Sequence, residues 1–176
     1  MEHKIFIAGF GGQGVVLAGN ILAEAGLKKG KNVTSIVSYG AEMRGGTANC
    51  SLIISDDEIL SPVVDKPDIS IILNEPSLDK FEKIVKENGL IILNKTLVGR
   101  DVKRKDVKVI EIEATKIANE IGNIKTANVV MIGALLKETE LFNVWDIEEV
   151  FQEMSGKNKA LFDINKKALL EGHNFR

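Results

Sequence analysis

One feature constrains this chain's fold above all others: a glycine run set between two segments of unlike character. Lys4-Ile5-Phe6-Ile7-Ala8 is short and nearly all apolar, the pattern of a parallel strand buried on both faces. Gly9-Phe10-Gly11-Gly12-Gln13-Gly14 follows it. From Gly14 to about Lys29, Val15, Ala18, Leu22 and Ala25 recur at spacings of three and four, and Gly30 supplies a stop. A strand, a glycine turn and a helix in that order start a crossover unit, and the rest of the chain continues it. Strands are expected at Val33–Val37, Ala48–Ile54, Ile69–Leu73, Leu90–Leu93 and Val107–Ile112. Pro76 opens a helix expected to run to about Glu87, where Asn88-Gly89 ends it.

The last third reads as helical: Ala114–Ile121 up to Gly122, then Thr126–Lys137, then a helix from Asp146. There Asp146 with Glu149 reads as a cap with its carboxylate partner, and Trp145 with Val150 as a hydrophobic staple. Leu161, Ile164, Ala168 and Leu169 mark a closing helix, with Asn165 inside its apolar arc. The expected fold is therefore α/β. It is one domain over residues 1–176, a mostly parallel, open, Rossmann-like sheet with flanking helices and a helical C-terminal third. The third strand is expected to pair antiparallel with its neighbour.

The charge balance is −2, without the basic excess a duplex nucleic-acid binder carries. No apolar run reaches membrane-span length. Met1-Glu2-His3-Lys4 leads directly into a strand rather than a signal peptide, so a cytoplasmic location is expected. The single cysteine forms no internal disulfide and fills no iron–sulfur or zinc cage. No metal site is expected, and no residue stands out as catalytic.

Gly9, Gly11 and Gly14 fit G-x-G-x-x-G between strand and helix. Glycines let the chain turn sharply and let an anion reach the unpaired amides of a helix start. The pattern leaves an anion cradle and a structural turn both open. A dinucleotide site is disfavoured because Lys31–Ala41 contains no acidic residue to bind a ribose. The missing Gly-Lys-Ser/Thr ending excludes an NTPase loop. A second loop, Ser38-Tyr39-Gly40-Ala41-Glu42-Met43-Arg44-Gly45-Gly46-Thr47-Ala48-Asn49, follows the second strand, on the side of an open α/β sheet where ligands bind. Tyr39 is the only tyrosine, and Arg44 offers a planar fork to a carboxylate or phosphate. Spacing alone fits a surface loop with a Glu42–Arg44 pair equally well.

Together, residues 9–19 and 38–49 resemble the gamma subunit of 2-oxoacid:ferredoxin oxidoreductases. The resemblance extends over essentially the whole chain, including the spacing to Asn128 and Gly133. The Ala-Glu-Met-Arg-Gly-Gly-Thr form is most similar to the 2-oxoglutarate members. The resemblance implies an accessory subunit of a complex that decarboxylates a 2-oxoacid on thiamine diphosphate, passes electrons through iron–sulfur clusters to ferredoxin, and transfers the acyl group to coenzyme A. It implies alpha, beta and ferredoxin-like delta subunits as partners, with no cofactor held by this chain alone. Gly9, Gly11, Gly12, Gln13 and Gly14 would form an anion or coenzyme A cradle. Tyr39, Glu42, Arg44, Gly45 and Gly46 would shape a contact with the partners near the active site. The alternative is a stand-alone nucleotide-binding or flavodoxin-like module.

Of the other candidates, Cys50 reads as core packing, His3 and His173 as solvated chain ends, and Asp56-Asp57-Glu58 as an acidic turn. Lys103-Arg104-Lys105, flanked by Asp101 and Asp106, reads as a solvated face. The small residues around Gly133 allow close helix approach, either inside the core or to a subunit.

Overall fold

The structure is a computed structural model that describes residues 1–40 and 46–176. Strand β1 (Glu2–Phe10) leads through helix α1 (Val15–Lys28) to β2 (Asn32–Tyr39). Strand β3 (Thr47–Ser55) returns antiparallel and takes the slot between β2 and β1. The chain then crosses to the far side of β1, where β4 (Ile69–Ile72), β5 (Leu90–Asn94) and β6 (Lys108–Ile112) add in parallel. The six strands lie in the order β2-β3-β1-β4-β5-β6. Every strand except β3 therefore runs the same way, and the antiparallel third strand stands as expected.

Successive strand residues face opposite sides, and the two faces carry different covers. Ile5, Ile7, Leu52, Ile71 and Ile92 point toward α1, α3 (Ala114–Ile121), α4 (Ala127–Glu138), α5 (Val144–Ser155) and α6 (Lys159–Asn174). Phe6, Ala8, Ile72, Ile91 and Leu93 point toward α2 (Glu75–Phe81) and the chain that follows it, through Leu78, Val85, Val98 and Val102.

Three expectations need correction. Helix α2 stops at Phe81 and gives way to a 3-10 turn at Glu82–Ile84, far short of Glu87. Glu82, the first residue of that turn, is buried. Its Oε1 accepts from the Lys103 and Arg104 amides at 2.5 and 2.9 Å, and its Oε2 accepts from Arg100 at 2.9 Å. Helix α5 starts earlier than expected, at Val144. Asn143 caps it, and Asp146 reaches back to the Asn143 amide at 2.9 Å, so Asp146 is the reciprocal carboxylate of the box and not the cap. Trp145 consequently lies inside the first turn, 75% exposed, and not before the cap where a staple residue sits. Finally, Arg104 is no solvated charge. It pairs with Asp106 and donates to the backbone carbonyl of Val85.

Gly133 faces inward. A Cβ there would strike the backbone carbonyl of Leu169 on α6, as one on Gly172 would strike that of Val130 on α4. The two glycines let α4 and α6 pack backbone to backbone within this chain.

Candidate functional site

Between β1 and β4 the chain changes direction across the sheet, and the crevice beyond their carboxyl ends is where open α/β folds place ligands. The glycine loop forms the floor of this crevice. Gly12 and Gly14 have φ of +94° and +74°, where a residue bearing Cβ is strained. A Cβ on Gly14 would also lie 2.5 Å from Asn128 Nδ2, which donates to the Gly14 carbonyl at 3.1 Å. Gly9 is closed off in the same way, with Gln13 Oε1 2.7 Å from its would-be Cβ. A Cβ on Gly11 or Gly12 would meet nothing within 4 Å among the described residues.

Gln13 ties the loop down. Its Oε1 accepts from the Phe10 amide at 2.7 Å and from Asn74 Nδ2 at 2.6 Å. Asn74 in turn caps α2 by accepting from the Ser77 amide at 2.9 Å. Asn94, at the end of β5, donates to the Leu73 carbonyl at 3.2 Å and to Thr115 Oγ1 at 2.8 Å. Asn74 and Asn94 carry no mark in the loop motifs. A signal was present nonetheless: Ile71-Ile72-Leu73-Asn74 and Ile91-Ile92-Leu93-Asn94 repeat one tetrapeptide at the ends of two strands. Between these groups lies a cavity of about 180 Å³, lined by Gly12, Gln13, Leu73, Asn94, Thr115 and Lys125 among others. The Gly12 and Gly14 amides have no hydrogen-bond partner among the described residues.

The second loop meets the first here. The Gly11 amide donates to the Gly46 carbonyl at 3.3 Å, so the two loops share a backbone hydrogen bond at the carboxyl end of β1. Lys80 lies beside this junction, its Nζ 3.4 Å from Thr47 Oγ1. Tyr39, 68% exposed, ends β2 opposite Ala48, while Phe10 ends β1 opposite Thr47. Glu42, Arg44 and Gly45 lie outside the described residues. The model of the pyruvate ferredoxin/flavodoxin oxidoreductases matches residues 4–175.

This chain belongs to the pyruvate ferredoxin/flavodoxin oxidoreductase family.

Among curated relatives, the 2-oxoglutarate synthase subunit KorC of Methanocaldococcus jannaschii is 38% identical over 152 residues, covering 85% of this chain and 81% of KorC. The ketoisovalerate oxidoreductase subunit VorA of Methanothermobacter marburgensis is 38% identical over 177 residues, covering 97% of this chain. The chain spans 36% of the length of VorA. The crystal structure of a keto/oxoacid ferredoxin oxidoreductase gamma subunit from Geobacter sulfurreducens superposes with a TM-score of 0.82 at 29% identity, covering 97% of this chain and 95% of that one.

The remaining candidates take structural places. Cys50 is fully buried on β3 beneath Gly19, 3.4 Å from Ser35 Oγ, and burial pushes its thiol pKa up. One sealed thiol does not fit an iron–sulfur cluster, which takes several such ligands. His3 and His173 are each partly buried rather than solvated; burial pulls the His3 pKa down. Asp56 does sit in a turn, where it accepts from the Met1 amino group at 2.7 Å and pairs with Lys31. No helix among the described residues is long and apolar enough to cross a membrane.

Proposed function

We propose that this chain is a single gamma-type domain that serves as the accessory subunit of a cytoplasmic 2-oxoacid:ferredoxin oxidoreductase. The complex would convert a 2-oxoacid, coenzyme A and oxidised ferredoxin into an acyl-coenzyme A, carbon dioxide and reduced ferredoxin. The decarboxylation would run on thiamine diphosphate and the electrons through iron–sulfur clusters, both held by the alpha, beta and ferredoxin-like delta subunits. The observation that carries the reading is the Gly11–Gly46 hydrogen bond, which joins the two motif loops in a member of this family. We assign 2-oxoglutarate as the substrate from the Ala41–Thr47 form of the second loop, and KorC's name supports that choice.

In this reading the chain positions and shields; it transfers no proton. The unpaired Gly12 and Gly14 amides at the start of α1, with Lys125 at the cavity rim, suit a phosphate of coenzyme A. Gly9 and Gln13 hold that cradle rigid from behind. Tyr39, Glu42, Arg44, Gly45 and Gly46 would meet the catalytic subunits. Arg44→Ala should lower the activity of the reconstituted complex at least about tenfold, the scale of one lost charge-assisted contact, while the melting temperature of the isolated chain stays unchanged. Equal loss of both would mean that Arg44 only holds the loop. Assaying the same complex with 2-oxoglutarate, pyruvate and 2-oxoisovalerate decides the substrate.

A further inference from the structure

The two edges of the sheet are built differently. Edge strand β6 is five residues long and guarded: Lys108 pairs with Glu138 at 2.8 Å and Glu111 with Lys95 at 2.9 Å. Edge strand β2, Asn-Val-Thr-Ser-Ile-Val-Ser-Tyr, is eight residues long, has no charge and no proline, and pairs with β3 in unbroken register from Asn32 to Tyr39. Ile36, Val37 and Tyr39 on it are 44%, 36% and 68% exposed. Soluble proteins blunt a long, flat edge with charge, proline or a bulge, because its unpaired amides template further pairing. Among the described residues, that protection is present at one edge and missing at the other.

The backbone register shows which groups are left open. The Gly40 amide donates to the Thr47 carbonyl at 2.7 Å. In an antiparallel ladder such bonded positions alternate, so the even-numbered residues of β2 face β3. Val33, Ser35, Val37 and Tyr39 then turn their amides and carbonyls to the outer edge.

We propose that the β2 edge is the seam of a two-fold dimer, in which a second copy of this chain adds its own β2 antiparallel and continues the sheet. A two-fold axis through Ile36 keeps each face on its own side. It sets Val33 opposite Tyr39 and Ser35 opposite Val37 as hydrogen-bonded pairs, and these are the positions whose amides point outward. Thr34 falls opposite Ser38, and Ile36 falls opposite its own counterpart at a close, non-bonded position. An aromatic against a β-branched residue, Thr against Ser, and two isoleucines are all favourable cross-strand pairs, and no like charges meet. The strand is thus complementary to itself, the requirement of a two-fold interface. The proposal does not rest on the reading of the active complex.

Sedimentation of the full chain across a dilution series tests it, combined with hydrogen exchange. The wild type should be a dimer that dissociates on dilution. Val33, Ser35, Val37 and Tyr39 amides should lose protection as it does, while Thr34, Ile36 and Ser38 amides keep theirs. Ile36→Lys sets two ammonium groups across the axis and should raise the dissociation constant by at least about tenfold. Mixing Ile36→Lys with Ile36→Glu chains should restore a dimer, which also shows that each variant still folds. A wild type monomeric throughout would overturn the proposal. So would a dimer indifferent to Ile36→Lys, or a β2 edge protected only when a different subunit is added.

Discussion

At the scale of single residues, Gln13 does more for the site than any glycine in its motif. Its one carboxamide oxygen satisfies both the Phe10 amide and the Asn74 side chain, and Asn74 passes the constraint to the start of α2. Gln13→Met keeps the shape but removes the acceptor. It should cost about 1–2 kcal/mol, the range for two polar groups left short of a partner in a partly buried place. Gln13→Glu keeps an acceptor oxygen at the same reach and should cost less. Urea midpoints at constant slope measure both. Equal losses would show that packing, not acceptance, holds the loop. Gly14 tests the opposite property. Gly14→Ala adds a Cβ at φ +74° against Asn128, so it should destabilise by about 1–2 kcal/mol from backbone strain alone.

At the scale of elements, Glu82 ties the end of α2 to Arg100, Lys103 and Arg104. Burial works to raise its pKa, but the Arg104 amide, Arg100 and the Lys103 amide together hold the carboxyl below its usual range. Glu82→Gln places an amide N–H against donors. A loss of about 2–3 kcal/mol is expected, the scale for a charged acceptor withdrawn from buried donors, with the segment 95–107 loosening first in hydrogen exchange. An unchanged exchange pattern there would refute the hub. This network explains what was legible in the sequence and what was not. Helix α3 and the end of α1 were readable because local signals, Gly122 and Gly30, set them. The end of α2 was not, since the contacts made there by Glu82 reach residues 18, 21 and 22 positions onward, and no local pattern records them. The α5 start is ambiguous in the sequence for a smaller reason. Asn143 and Asp146 both fit a cap, and the geometry selects the earlier. In the candidate site, the glycine loop is legible from its motif, whereas the bonds by which Asn74 and Asn128 brace it are not, because each spans distant sequence.

At the scale of the whole molecule, the sheet joins a parallel half to an antiparallel one, and the antiparallel half is pinned at one corner. Met1 leads into β1, Lys31 leads into β2, and Asp56 follows β3; the carboxylate of Asp56 accepts from both cations. The Lys31 ammonium, and then the Met1 amino group, hold the Asp56 carboxyl down at about 2, against an ordinary 3.8. A carboxylate with a depressed folded-state pKa stabilises the fold above its unfolded value and loses that contribution as pH falls. The stability difference between the wild type and Asp56→Asn should therefore be fully present above pH 3.8 and vanish as pH passes through about 2. The corner is open to water, so the difference should also shrink with added salt, as screening predicts for exposed charges. Denaturation midpoints over pH and salt supply the measurement. A difference that persists at the lowest pH would mean that Asp56 acts through the geometry of its turn rather than its charge.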